Sequence, residues 1–157
     1  MFADVGNDTR VLLVAILASV LCHAVLIFTL LKFEVTYLNF SKSLPISIYH
    51  RLGRWLLIFV IVLIPEWIFL ILSSQYTLHS ITHGFLFGLT GLFFLLTALY
   101  MVKLNMDNYL KWLLFYFFIS MWAILGHYYF LFSVVVLGCC ALYYLTRFHR
   151  IDLQAVE

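Results

Sequence analysis

Long apolar stretches separated by short polar segments make up most of the chain. A helix needs about 20 apolar residues to cross a hydrocarbon core about 30 Å thick, and three of these stretches suit single helices of that kind. A fourth stretch, from residue 112 to 146, is too long for one helix, and Gly126 with the polar residues after it could turn the chain at its middle. The pattern therefore predicts an all-α integral membrane protein with about five transmembrane helices. The predicted spans are residues 11–31, 55–72, 81–102, 109–125 and 129–146.

The distribution of Lys and Arg tests this count independently, because cytoplasmic loops are enriched in these residues. With five spans, eight of the nine basic residues fall on one side of the membrane and Arg10 alone falls on the other. The eight are Lys32, Lys42, Arg51, Arg54, Lys103, Lys111, Arg147 and Arg150. We therefore expect the amino terminus outside and the carboxy terminus in the cytoplasm. The alternative is four spans, with residues 112–146 as one tilted helix, and it divides the basic residues less well.

The segment from residue 32 to 54 is the largest one outside the predicted spans. It mixes aromatic and aliphatic residues with polar ones, and after Pro45 its apolar residues recur at helical spacing. Such a strip is typical of a segment that lies at the membrane interface. The whole chain, residues 1–157, is then a single polytopic membrane domain.

Composition narrows the class of protein further. The chain is 66% hydrophobic and 10% charged, which excludes an ordinary soluble domain. Its net charge is +2 and it has no dense basic block, so nucleic-acid binding is disfavoured. No P-loop, Cys-x-x-Cys or Gly-x-Ser-x-Gly motif supports an enzyme. We expect an integral protein of the bacterial inner membrane, whose partners are lipid and other membrane subunits or further copies of itself.

Glu66 is the single acidic residue inside a predicted span, directly after Pro65. Hydrocarbon favours the neutral form of a carboxyl group, so a carboxyl group inside a span is expected to have a hydrogen-bond partner or a functional role. One interpretation is a carboxylate that binds a proton or a cation. The other is a protonated acid, hydrogen-bonded to a neighbouring helix or to a carbonyl that Pro65 leaves free. No Lys or Arg is expected at its depth, so histidines, hydroxyls and carbonyls are the candidate partners.

His23 lies near the middle of the first predicted span, four residues after Ser19, so both side chains point from one helix face. A histidine at that depth can bind haem iron, pass a proton or donate a hydrogen bond to a neighbouring helix.

Three further histidines are expected at the outer membrane surface. His79 and His83 are one helical turn apart, and His127 is predicted in the last outer loop. Converging imidazoles could bind copper, zinc or haem, although His and Tyr are also common at membrane interfaces.

Small residues recur along the third predicted span, at Ser80, Gly84, Gly88 and Gly91. Such a face allows two helices to approach closely in a membrane. We therefore expect another helix against Gly84 and Gly88, from this chain or from a second one.

The segment Leu44–Trp55, LPISIYHRLGRW, resembles a Ser-x-x-His-Arg-x-x-Gly stretch in the succinate dehydrogenase cytochrome b anchor, although Gly53 comes one residue early. The resemblance covers twelve residues. It implies quinone binding by Ser47 and Arg51, and haem b as a cofactor.

Three functions remain open. The leading hypothesis is a structural, assembly or accessory subunit of a larger membrane complex. The second is a membrane anchor of a respiratory enzyme that holds haem b or quinone. The third is a proton- or ion-coupled transporter, or an oligomeric pore, that uses Glu66.

Overall fold

A computed structural model describes residues 9–37, 48–72 and 77–147. Within these ranges the protein contains α-helices and no strand. The helices are α1 (Thr9–Cys22), α2 (Ala24–Tyr37), α3 (Ile48–Val62), α4 (Ile64–Leu72), α5 (Leu78–Met101), α6 (Met106–Leu125) and α7 (Tyr129–Arg147).

Two pairs of these helices continue one another. At His23, the backbone amide donates to the Ser19 carbonyl at 3.1 Å, and the Ile27 amide donates to the His23 carbonyl at 3.0 Å. Backbone hydrogen bonds with the same spacing also continue through Leu63, the residue between α3 and α4. We call α1 with α2 the first rod, and α3 with α4 the second rod. The described chain therefore forms five rods, of which α5, α6 and α7 are the other three.

Among the described residues, four helices are long and apolar enough to cross a membrane: Thr9–Tyr37, Leu78–Met101, Met106–Leu125 and Tyr129–Thr146. The predicted all-helical class is confirmed for the described residues, and the four helices are compatible with membrane spans; the predicted count of five stays a prediction. The predicted span 55–72 lies on the second rod, where the uninterrupted apolar helix is the shorter Leu52–Val62. Pro65, which has no amide proton to donate, accounts for the interruption there.

The helices begin and end where the local chemistry allows. Thr77 caps α5 through its side chain, which accepts a hydrogen bond from the Ser80 amide at 3.3 Å. Asn105 caps α6 by accepting from the amides of Asp107 and Asn108. The chain turns after Leu125, and α7 begins at Tyr129.

The segment that the sequence places at the membrane interface, residues 32–54, is partly helical. Helix α2 continues as far as Tyr37. Part of the segment expected at the interface is therefore an extension of the first helix, and residues 38–47 lie outside the described ranges.

Helix α5 occupies the centre of the bundle and contacts each of the other rods. The first rod runs parallel to α5, because Thr9 Oγ1 meets Ser80 Oγ at 3.1 Å near both helix starts, and Val20 lies farther along against Gly91.

The other three rods alternate in direction around α5. Aromatic contacts pair Trp67 with Phe85 and Phe59 with Phe93, so the second rod is antiparallel to α5. Tyr116 contacts Gly91 and Trp112 contacts Phe94, which makes α6 antiparallel as well. His83 contacts Tyr129 and Tyr100 contacts Tyr144, so α7 is parallel to α5. Successive rods therefore reverse direction along the chain.

The small-residue face of α5 packs against α1 of the same chain. A Cβ atom placed on Gly84 would lie 2.6 Å from Ile16 Cδ1, and one on Gly88 would lie 3.2 Å from Ile16 Cγ2. A Cβ on Gly91 would lie 2.8 Å from Val20 Cγ1 and 3.1 Å from the Tyr116 hydroxyl. The glycines thus accommodate side chains of α1, and the helix partner that the sequence left open is internal.

We predict that Gly91→Ala destabilises the protein by about 1–3 kcal/mol, the usual cost of overpacking a tight core. The physical reason is that Val20 is β-branched and holds one χ1 rotamer in a helix, so its methyl cannot move away. Gly138 is the matched control, because nothing lies within 4 Å of a Cβ added there. Gly138→Ala should be neutral or stabilising by up to about 1 kcal/mol. Equilibrium unfolding in mixed detergent would measure both values, and equal effects of the two changes would contradict the packing.

Candidate functional site

Three polar side chains meet inside the apolar part of the bundle. Ser19 Oγ donates a hydrogen bond to Glu66 Oε1 at 2.6 Å. His23 Nε2 lies 2.7 Å from the same carboxyl oxygen. One oxygen of Glu66 therefore joins the first rod to the second, and we call these three residues the Glu66 network.

The directions of the two rods bring the network together. Helical side chains lean toward the amino-terminal end of their own helix. Because the first and second rods run in opposite directions, the side chains of His23 and Glu66 lean toward each other. Ser19 is one turn before His23, so both groups reach the carboxyl group from one face.

The network is only partly covered, and its two carboxyl oxygens differ. The side chains of His23 and Glu66 are 23% and 24% exposed. Glu66 Oε2 is itself buried and has no hydrogen-bond partner among the described residues. A bare carboxylate oxygen in an apolar environment is costly, and a bound proton or a bound cation would remove that cost.

The arrangement is suited to holding and exchanging a proton. An imidazole and a carboxyl group in hydrogen-bond contact can exist as two neutral groups or as an ion pair, and one proton moves between these states. Ser19 stabilises the carboxyl oxygen in either state by donating its hydroxyl hydrogen. No Lys or Arg side chain in the described ranges pairs with Glu66.

The histidines at the other candidate site do not converge as a set of three. His79 and His83 lie together, with their Nε2 atoms 2.9 Å apart. His127 is hydrogen-bonded to Arg10, at the start of α1. Within the described ranges, no group of three His, Cys, Asp or Glu side chains is placed to bind a metal ion.

The haem and quinone hypotheses gain no support from this geometry. His23 Nε2, the nitrogen that would bind haem iron, already contacts Glu66. Ser47 and the side chain of Arg51 lie outside the described part of the protein. Quinone binding by Ser47 and Arg51 therefore stays a prediction.

Some polar contacts near the ends of the bundle were not anticipated from the sequence. The Tyr109 hydroxyl donates to the Ala24 carbonyl at 3.3 Å, one residue after His23. Arg54 forms an ion pair with Glu34. Opposite charges in adjacent helices were a signal for the second contact, but no periodicity predicts the first.

Comparison with models of known protein families, with curated proteins and with solved structures gives no match. The site must therefore be interpreted from its own geometry.

We predict that His23 and Glu66 are energetically coupled. In a double-mutant cycle of His23→Ala and Glu66→Ala, the coupling energy should be about 0.5–3 kcal/mol, as for residues that share a hydrogen bond. Thr97 provides the control, because its hydroxyl donates to the Phe93 carbonyl of its own helix at 2.8 Å. Thr97→Ala combined with Glu66→Ala should be additive. Unfolding free energies in mixed detergent would measure both cycles. An additive His23 cycle would show that the contact between His23 and Glu66 does not contribute to stability.

Proposed function

We propose that the protein binds and releases protons at Glu66 and thereby moves protons across the membrane, as a proton-coupled transporter or an oligomeric pore. The observation that carries this proposal is the asymmetry of the Glu66 carboxyl group. Oε1 contacts Ser19 and His23, whereas Oε2 is buried without a partner in the described chain.

The composition of the network favours a proton over a metal cation as its ligand. Hard cations take several oxygen ligands in proteins, and here the groups beside Glu66 are one hydroxyl and one imidazole. An imidazole nitrogen can hold a proton or give it up, so His23 offers a second position for the same proton. His23 is the titratable group that faces Glu66 from the first rod.

The same proposal includes five membrane crossings, with the amino terminus outside and the carboxy terminus in the cytoplasm. The alternating directions of the five rods support it, because each crossing must reverse the chain. The basic side chains support the orientation: Lys32, Arg54, Lys103 and Lys111 lie near one end of the bundle, and Arg10 lies at the other. By the same rule we propose a bacterial inner membrane location.

An accessory subunit of a larger membrane complex is our second candidate. The observation that favours it is the shortness of two connections in the described chain, since α5, α6 and α7 are joined by residues 102–105 and 126–128. The glycine face of α5, which a partner subunit could have covered, is instead covered by α1 within the chain. For this reason we place the proton-binding function first.

We predict that a reporter fused after Glu157 will be found in the cytoplasm and that a reporter fused at the amino terminus will be found outside. Each position is tested with one reporter that is active only in the cytoplasm and one that is active only outside. Five crossings require this result, because an odd number of spans places the two ends on opposite sides. A reporter inserted after Ser74 should also be outside, because residue 74 follows the second rod in the sequence. Both termini on one side would contradict five crossings and leave four.

We predict that vesicles containing the purified protein dissipate an imposed pH gradient faster than empty vesicles, and that Glu66→Gln abolishes the difference. Gln keeps the shape of the side chain and its acceptor oxygen but cannot bind a proton at neutral pH. A pH-sensitive dye inside the vesicles would report the rate.

The matched control is Asp107→Asn, the same change at an exposed carboxylate in the first turn of α6. It should conduct protons as the unaltered protein does. The infrared band of a protonated carboxyl group should disappear in Glu66→Gln and persist in Asp107→Asn. If folded Glu66→Gln conducted fully, the proton-transfer function would be wrong. If the unaltered protein conducted no better than empty vesicles, the accessory-subunit function would replace it.

A further inference from the structure

His79 and His83 form a second pair of interacting polar side chains, separate from the Glu66 network. They occupy successive turns at the start of α5, at the end of the bundle where Arg10 lies. We propose that these two histidines bind one divalent transition-metal ion, with Cu²⁺ preferred over Zn²⁺. The proposal does not depend on the proton-binding function.

The distance between the two nitrogens matches two ligands of one ion. The Nε2 atoms are 2.9 Å apart. Imidazole nitrogens bind such ions at about 2.0 Å, so two ligands at a right angle lie about 2.8 Å apart, whereas tetrahedral ligands lie about 3.3 Å apart. The observed spacing is closer to the right angle, which is the arrangement that Cu²⁺ prefers. Imidazole also binds Cu²⁺ more tightly than Zn²⁺ in the general order of affinities.

The neighbouring aromatic rings limit the movement of His83. Its ring contacts Tyr129 at 5.6 Å and Phe130 at 5.2 Å between centroids, in both cases edge to face. The rings of His79 and His83 are also nearly perpendicular, at 87°. A ligand held in one orientation loses less conformational freedom when it binds the ion. Helix α7 therefore positions one of the two ligands.

The pair is accessible to an ion from solution. His79 is exposed and His83 is half-buried. Binding requires both rings to carry their hydrogen on Nδ1, so the ion replaces the hydrogen bond between the two Nε2 atoms and no net proton is released. Water would complete the coordination, because two ligands come from the protein. His127 contacts Arg10, and we do not include it in the site.

The test uses the full chain, purified with a tag that contains no histidine and placed in lipid vesicles. Titration with Cu²⁺ against glycine as a competitor should give one bound ion per chain. Its electron paramagnetic resonance spectrum should show two equivalent nitrogen ligands. His79→Ala and His83→Ala should each weaken binding by about tenfold or more, because the second imidazole of a chelate binds at high effective concentration.

His127→Ala is the matched control, because it removes a histidine from the same end of the bundle. It should bind Cu²⁺ as the unaltered protein does, and Glu66→Gln should do so as well. Retained helicity and melting temperature would show that each variant is folded. The proposal would be overturned if folded His79→Ala bound Cu²⁺ as tightly as the unaltered protein. It would also be overturned if His127→Ala lost binding to the same extent, since the ion would then lie elsewhere.

Discussion

The close packing of α1 and the second rod on Gly88 is the constraint on which the rest of the bundle depends. A Cβ on Gly88 would meet Ile16 of α1 at 3.2 Å and Leu63 of the second rod at 3.5 Å. Ser19 follows Ile16 by three residues, and Glu66 follows Leu63 by three residues. Each pair therefore shares a helix face. The glycine consequently sets the separation of the two rods just where Ser19 and Glu66 must meet. In a membrane, where helices gain little from the hydrophobic effect, this close contact is the main source of association.

The polar residues inside the bundle differ in how their hydrogen bonds are satisfied. Thr97 and Ser133 donate to carbonyls of their own helices at 2.8 Å. Such bonds form whatever the neighbouring helices do. Glu66 instead depends on side chains from another rod, and one of its oxygens has no partner within the described chain. The Glu66 network thus links two rods and leaves one carboxyl oxygen without a partner in the described chain, whereas these two hydroxyl groups bond within their own helices.

The sequence predicted the helical membrane class, because long apolar stretches admit few other structures. It also placed Ser19 and His23 on one face, which follows from helical periodicity alone. The contact between this face and Glu66 could not be predicted in the same way, since it depends on how two rods distant in sequence pack on α5. For the same reason, one sequence could not show whether Gly84 and Gly88 face this chain or another. Nor could the separation of His127 from His79 and His83 be predicted, because the contact with Arg10 joins residues 117 positions apart.

The second rod shows why the count of spans and the function are linked. Pro65 and Glu66 make it the least suitable of the five rods for hydrocarbon, and length and composition alone do not identify it as a span. Ser19 and His23 reduce the cost of Glu66 by giving one of its oxygens two hydrogen-bonding neighbours. If the rod crosses the membrane, it does so because the first rod supplies these groups. A carboxyl group kept only for packing could be replaced by an apolar side chain, which would suit the membrane better. We therefore propose that Glu66 is present for chemistry that needs its proton and not for the stability of the bundle.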